Sequence, residues 1–305
     1  MTPPLPRKTV IGDYALLIGL AAIFASNFMM TKIAVLELPP MLVVSLRLAI
    51  AAGFLAAIML AAGYRLPNGG IWKPIVLSAL FGHTIPFSLL AWGQERVDAG
   101  LAAILMATMP LFTLFLAQVF TRDEKPTRYS IAGFAVALVG IIVLFGPEKL
   151  ASLADQSVRQ YAIALAAMSY GVNAIITKKL IGHPWQQTTA CFMTVAFLFS
   201  LPLLLISDLS RITAPFGVWV AVVYTGLMPT AVGAILIVVL VRRTSASFLS
   251  QINFLVPVFG VAFALVFLQE TLPANAAVAL AIILSGVALA RLQPGRKLVS
   301  FNKGA

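Results

Sequence analysis

Ten apolar stretches, each long enough to cross a bilayer as a helix, follow one another through almost the whole of this chain. A helix needs roughly 20 residues to cross about 30 Å of hydrocarbon. Cutting the sequence at charges, prolines and polar pairs places spans at 14–35, 41–63, 72–94, 97–120, 129–146, 160–180, 187–207, 216–240, 246–268 and 273–292. Only 10% of the residues are charged, against about 25% in a soluble domain. That leaves too little polar surface to coat a water-soluble globule, so lipid is the solvent for most of the chain. The sequence predicts an all-α integral membrane protein.

The N-terminal MTPPLPRKTVIGD is a short basic leader. The apolar run from Tyr14 to Val35 exceeds the roughly 7–15 residues of a signal peptide and reads as a retained first span. Cys191, the single cysteine, lies inside an apolar run; it reads as a buried spectator thiol and rules out an intrachain disulfide.

Charge sets the orientation. Fifteen of the 21 Lys and Arg fall on the side that holds both termini, five on the other, and Arg47 inside the bilayer. Short loops rich in Lys and Arg stay cytoplasmic, so both termini are expected in the cytoplasm of an inner-membrane protein. The net charge of +11 then follows from topology. Nucleic-acid binding would need a basic patch on one face, whereas these charges are scattered between apolar runs, and no nucleic-acid partner is expected.

The chain also repeats itself. NFMMTK from Asn27 is echoed by NAIITK from Asn173, FTRDEKP from Phe120 by FLQETLP from Phe267, and Pro110 by Pro257, at offsets of 146 or 147 residues. The expected units are residues 1–147 and 148–305, five spans each. Five is odd, so the second unit enters the bilayer from the opposite side and the two are inverted. Inverted repeats build many secondary transporters, with the substrate site near the midplane between the copies.

Ten spans, the five-plus-five duplication, an Arg in span 2, a proline within spans 4 and 9, and QETLP after span 9 together resemble the drug/metabolite transporter superfamily. Within it the EamA-type exporters, and among these the YddG-like amino-acid exporters, are the most similar. The resemblance covers about residues 14–292. It implies efflux of amino acids or related small metabolites through a central cavity by rocking of the halves. It departs from the family at Asp123, which stands where a Glu opposite Glu270 is expected, leaving open whether this acidic position does the same job in both halves.

Helical spacing shows which polar residues share a face. Phe24, Asn27 and Thr31 form one stripe in span 1, and Tyr170, Asn173 and Thr177 its counterpart in span 6. These groups either line a cavity or bond between helices. Span 9 carries Ala246, Ser250, Asn253, Pro257, Gly260 and Ala264 on one stripe; span 4 carries Ala99, Ala103, Met106, Pro110, Thr113 and Ala117. Each reads as a cavity wall able to bend at its proline, making Pro110 and Pro257 candidate hinges, although small residues also serve close packing. Met29, Met30, Met106 and Met109 could make an adaptable wall. Trp72 and Trp219 fall at span ends, as an interfacial belt requires, with Trp92 and Tyr224 as weaker site candidates.

His83, the only histidine within a span, suits substrate binding or a structural bond better than a proton relay, because no acid shares its span. No Asp or Glu lies in the centre of any span; coupling would therefore run through His83 or Glu270, or export is downhill. Arg47 costs about 2.5–3.5 kcal/mol in hydrocarbon. It is either tied to carbonyls or to an outer acid (Glu95, Asp98 or Glu270), or it is the partner of a substrate carboxylate. The candidate substrate residues are thus Asn27, Arg47, His83, Met106, Tyr170, Asn173, Ser250 and Asn253.

Spans 5 and 10 are less polar; Gly133 with Ala137, and Ala277 with Ala281 and Ser285, suit packing or dimer contacts, so the protein is a monomer or a homodimer. No HExxH, GxSxG or interior carboxylate pair is present, which argues against an enzyme. No cofactor or metal is expected. A multidrug or lipid-type flippase stays open as the alternative.

Overall fold

The fold is that of a computed structural model, which describes residues 10–120, 127–145, 155–205, 207–209, 212–244 and 246–292. Asp123 lies outside these residues, as do Arg7, Lys8, Arg122, Lys125, Lys149, Arg211, Arg296, Lys297 and Lys303. The described residues form helices and no strands. Where lipid excludes water, each backbone N–H and C=O must find its partner inside its own segment.

In chain order the helices are α1 (Ile11–Glu37), α2 (Pro40–Ala61), α3 (Trp72–Ala79), α4 (Ile85–Gln94), α5 (Ala99–Met106), α6 (Met109–Phe120) and α7 (Arg128–Phe145). Then come α8 (Asp155–Thr177), α9 (Trp185–Leu204), α10 (Phe216–Thr225), α11 (Gly233–Arg243), α12 (Ala246–Leu249), α13 (Ile252–Phe267) and α14 (Ala276–Arg291). Each expected span is helical over most of its length. Six are both long and apolar enough to cross a membrane: Ile11–Glu37, Pro40–Ala61, Gly69–Gln94, Ala99–Phe120, Trp185–Leu204 and Phe216–Arg243. Arg128–Leu144, Ile252–Phe267 and Ala276–Arg291 are apolar but shorter. Helix α8 is long enough but carries Arg159, Gln160, Ser169, Asn173 and Thr177.

Local chemistry sets the ends. Prolines start helices where a missing N–H costs nothing: Pro40 opens α2, and Pro184 and Pro215 directly precede α9 and α10. The first helix begins three residues before the expected boundary, because Asp13 accepts the Val10 N–H at 3.0 Å and caps it.

Two long helices are interrupted by π turns. Leu80–Thr84 joins α3 to α4, and Gly226–Val232 joins α10 to α11. Each is closed by a threonine hydroxyl reaching back five residues: Thr84 Oγ1 donates to Ala79 O at 3.2 Å, and Thr230 Oγ1 to Thr225 O at 2.7 Å. The two threonines are 146 residues apart, the offset of the repeat. A π turn re-aims the side chains that follow it and commonly marks a functional site.

The prolines singled out as hinges behave differently from each other. Pro110 sits just after the break at Ala107–Thr108 that separates α5 from α6. Pro257 lies inside α13, which is unbroken there; the break in that span falls earlier, at Ser250–Gln251. Pro110 is the second residue of α6, where a missing N–H removes no helical bond, whereas Pro257 stands in the interior of α13.

In the packing, α2 lies on α9, α1 on α13, α5 on α13, and α4 and α6 on α8. Helix α7 pairs with α14 more extensively than any other two helices. Glycines make that approach possible: a Cβ at Gly133 would stand 2.5 Å from Gly286 O, and one at Gly140 2.7 Å from Ile283 Cγ1. The face of α14 that makes this contact is Ala279, Ile283, Gly286 and Ala290, all buried. Ala277, Ala281 and Ser285, grouped from the sequence, are exposed on another face and take no part in it. Gly133 and Ala137 are used within the chain.

Candidate functional site

Arg47 is 5% exposed and reaches from α2 to the π turn between α10 and α11, where its Nε donates to Thr230 Oγ1 at 2.8 Å. The approach is close because Gly226 faces α2; a Cβ there would lie 2.9 Å from Arg47 O. The guanidinium carbon rests 3.7 Å from the centroid of the Phe87 ring. Its two terminal amino groups meet no acceptor, and no acid pairs with it, among the described residues. The outer acids considered from the sequence are engaged elsewhere or lie apart. Glu95 pairs with Arg159, and Glu270 accepts the Ala99 and Gly100 N–H groups at 2.8 and 3.0 Å.

Phe87 is the hub of the site. Its ring lies 5.6 Å from His83, edge to face, and 6.5 Å from Tyr170. His83 is also stacked on Phe192 of α9 at 4.8 Å, and its Nδ1 is 3.1 Å from Ser78 O. The π turn aims these groups: with Gly82 it opens the space where Asn173 of α8 fits, since a Cβ on Gly82 would stand 2.5 Å from Asn173 Nδ2. Arg47, His83, Tyr170 and Asn173, drawn from two helices and one π turn, therefore share one aromatic-walled site.

Asn27 belongs to α1, in the same half of the chain as Arg47 and His83, and is 9% exposed. One turn before it, Phe24 fills the space over Gly233, where a Cβ would meet the ring at 2.6 Å. Gly233 is three residues beyond Thr230, so Phe24 and Arg47 meet the same face of that helical segment. Tyr170, at the position equivalent to Phe24, stands in the same relation to Phe87.

Met106, Ser250 and Asn253 lie away from this group. Met106 packs into the apolar cluster around Leu105 and Ile104, at the end of α5. Ser250 is held by Arg291, whose Nη1 donates to Ser250 O and Oγ at 3.0 and 2.9 Å, and Asn253 Nδ2 donates to Ser250 O at 3.2 Å. Nearby, a cavity of about 220 Å³ lies where α6, α8 and α14 end, lined by Pro110, Thr113, Ala117, Ala174, Lys178 and Arg291 among others. Sequence reasoning missed Phe87, Phe192, Thr84 and Thr230. Extending the 146-residue offset would have found the two threonines; the phenylalanines carry no signal among 20.

The opposite end of the bundle is clasped. Three charged side chains hold the single connection 92–100 between α4 and α5. Lys32 Nζ donates to Gln94 O and Val97 O at 2.8 and 3.0 Å. Arg159 pairs with Glu95, donates to Trp92 O at 2.6 Å and covers the Trp92 ring at 3.9 Å. Glu270 takes the first N–H groups of α5, and Gln269 before it adopts a left-handed φ of 52° to turn the chain there. A carboxylate at a helix N-terminus satisfies donors that have no partner within the helix. The QETLP motif is thus a clasp between the two halves of the chain.

The chain matches the EamA-like transporter family over residues 12–146 and again over residues 160–292. It belongs to that family. It is a multi-pass membrane transporter and not an enzyme. A protein of Streptantibioticus cattleyicolor named a probable terminal-alkyne amino-acid exporter is 34% identical over 258 residues, 84% of this chain and 83% of that one. A probable amino-acid metabolite efflux pump of Salmonella typhimurium is 28% identical, over 90% of this chain and 93% of its own. The uncharacterized inner membrane transporter YedA of Escherichia coli is 25% identical, over 92% and 90%. A crystal structure superposes with a TM-score of 0.64 at 23% identity, over 92% of this chain and 98% of the other, and shares the fold.

Proposed function

We propose that this EamA-like transporter exports amino acids or related small metabolites across the inner membrane, binding them between two inverted five-helix repeats, residues 1–147 and 148–305. The observation that carries this reading is Arg47: a guanidinium buried inside the bilayer with its forked amino groups free of any acid among the described residues. Such a group is expensive in lipid. Its fork matches a carboxylate, and a transported anion is the partner that would offset the cost. The names of two relatives, an amino-acid exporter and an amino-acid metabolite efflux pump, support the same substrate class, and that of YedA supports the inner membrane.

Ten spans with both termini cytoplasmic give the inversion. The matched pair of π turns, the matched threonines and the double match to one family support the duplication. In this orientation the clasp on 92–100 is the outer closure, and the cavity bordered by Lys178 and Arg291 lies at the cytoplasmic end. Alternating access then requires the clasp to part. With Glu270 occupied as a helix cap and no carboxylate at the site among the described residues, downhill export is the simplest energetics.

The test is uptake into proteoliposomes of a panel of amino acids, with and without an imposed pH gradient. Counterflow of at least one apolar amino acid without a gradient is expected. No movement of any amino acid under either condition would overturn the proposal; movement only with the gradient would overturn downhill export.

The clasp gives a second expectation. Val97 is fully buried beneath it. In a Val97→Cys, Cys191→Ser background, Arg159→Gln should speed labelling by a membrane-impermeant maleimide from outside by roughly five- to thirtyfold, the loss of about 1–2 kcal/mol of closure. An unchanged labelling rate would mean the clasp does not hold the outer side shut.

A further inference from the structure

Two carboxamides at equivalent positions of the two halves, Asn27 and Asn173, are among the buried polar groups left without a partner. Neither the Asn27 nor the Asn173 side chain makes a hydrogen bond among the described residues, and the Oδ1 of each is buried without a donor. Asn27 is only 9% exposed. Several neighbouring polar side chains in these helices are bonded, although Thr31 Oγ1, one turn after Asn27, is also buried without a partner among the described residues. Ser26 bonds Tyr224 Oη at 2.7 Å, Ser169 donates to Phe81 O at 2.7 Å, and Thr177 to Asn173 O at 3.0 Å. A buried acceptor without a donor is unfavourable. In the two asparagines it occurs at positions 146 residues apart, each one turn from an aromatic ring that borders the site.

The pair has a chemistry that complements Arg47. Arg47 supplies donors only, and the carboxamide oxygens are acceptors in search of a donor. Phe87 and Tyr170 add ring faces, which attract cations. Because neither carboxamide is tied to the protein, each can turn its oxygen towards a bound cation without breaking a bond. Among the described residues no Asp or Glu at the site competes for that cation.

We infer that Asn27 and Asn173 receive the α-ammonium of the substrate while Arg47 takes its carboxylate, so the site selects zwitterionic amino acids over acids of the same skeleton that lack the amino group. The inference rests on the export reading above and deepens it by assigning the selectivity for the amino group. A neutral pair of acceptors suits a transporter: it recognises an ammonium without placing a fixed negative charge beside Arg47, which would close the site by pairing with it.

The test is competition for counterflow of one labelled apolar amino acid in proteoliposomes. The competitors are the unlabelled amino acid and its deaminated analogue, titrated against the wild type, Asn27→Ser, Asn173→Ser and the double variant. The wild type should prefer the amino acid by roughly ten- to hundredfold, the range set by a charge-assisted hydrogen bond. The double variant should bring the two competitors within about threefold of each other without changing the potency of the deaminated acid. Should the double variant fail to reach the membrane, each single variant should still narrow the ratio by about half on a logarithmic scale. If the ratio stays at its wild-type value in the variants, or if the wild type takes both competitors equally, the assignment is overturned while export stands. If the wild type moves no labelled amino acid at all, the export reading falls and takes the assignment with it.

Discussion

Arg47→Lys is expected to lower transport of carboxylate-bearing substrates by roughly thirtyfold, about 2 kcal/mol, with membrane insertion and thermal stability close to wild type. Lysine keeps the positive charge, so the cost of burying it changes little. It loses the planar fork that grips a carboxylate through two parallel bonds, and it loses the Nε bond that aims the fork from Thr230. The ring of Phe87, 3.7 Å beneath the guanidinium, is a platform for a flat cation and suits an ammonium less well. Initial rates of uptake per folded protein, with melting temperature in detergent as the control, separate the two roles left open by the sequence. If Arg47 only ties helices together, lysine should lower the melting temperature by several degrees and leave the rate per folded molecule unchanged. A decarboxylated amine offers an internal check, since its weak transport should not depend on the fork.

The largest effect on stability is expected where α7 meets α14. Gly286→Ala should cost about 1–3 kcal/mol, as overpacking of a fixed contact does, and Gly286→Leu should prevent recovery of folded protein. A methyl group at Gly286 would stand 2.6 Å from Gly133 O and 2.7 Å from Ala137 N. These are backbone atoms of a helix whose bonds are already made, so nothing local can give and the helices must separate. In lipid no hydrophobic force pushes them back together; close packing is itself the attraction. Gly53→Ala is the control: it is also a glycine in a helix, but a Cβ there meets nothing within 4 Å, and its melting temperature should match or slightly exceed wild type. Thermal unfolding in one detergent reads the two alanine variants, and the yield of folded protein reads Gly286→Leu. A Gly286→Ala protein as stable as wild type would show that this contact does not hold the halves together.

Much of the architecture was legible because the bilayer enforces one rule on every segment. Apolar runs of the right length must be helices, so the positions of the helices could be read from hydropathy, six of them long and apolar enough to cross a membrane. The repeat was visible in NFMMTK and NAIITK, and the equivalence extends to Thr84 and Thr230, which carry no apolar signal. The helix breaks were less legible. Pro110 marks one, but Pro257 does not mark the other, because a proline removes one bond whether or not the chain bends there.

The fold brings some of the polar residues picked out by helical spacing together and sets others apart. Arg47, His83, Tyr170 and Asn173 share one site, whereas Ser250 and Asn253 sit with Arg291 at the end of the bundle. Helical spacing identifies residues on one stripe, yet a stripe passes through several environments along its length. Lys32 illustrates the same limit. It reads from sequence as an outer-side charge, and in the fold it is 8% exposed and holds two carbonyls of the α4–α5 connection.

The sequence by itself determined the apolar, helical class, the positions of the helices and the echo of one half of the chain in the other, because these follow from local composition and from comparison of the chain with itself. Only the tertiary structure decided that Arg47 faces Thr230 and Phe87, that Glu270 is a cap for α5, and that both asparagine carboxamides go without partners. Those facts depend on which helix face meets which, a choice made by close packing between segments far apart in the chain, as in the Ser26–Tyr224 pair, and no run of neighbouring residues encodes it.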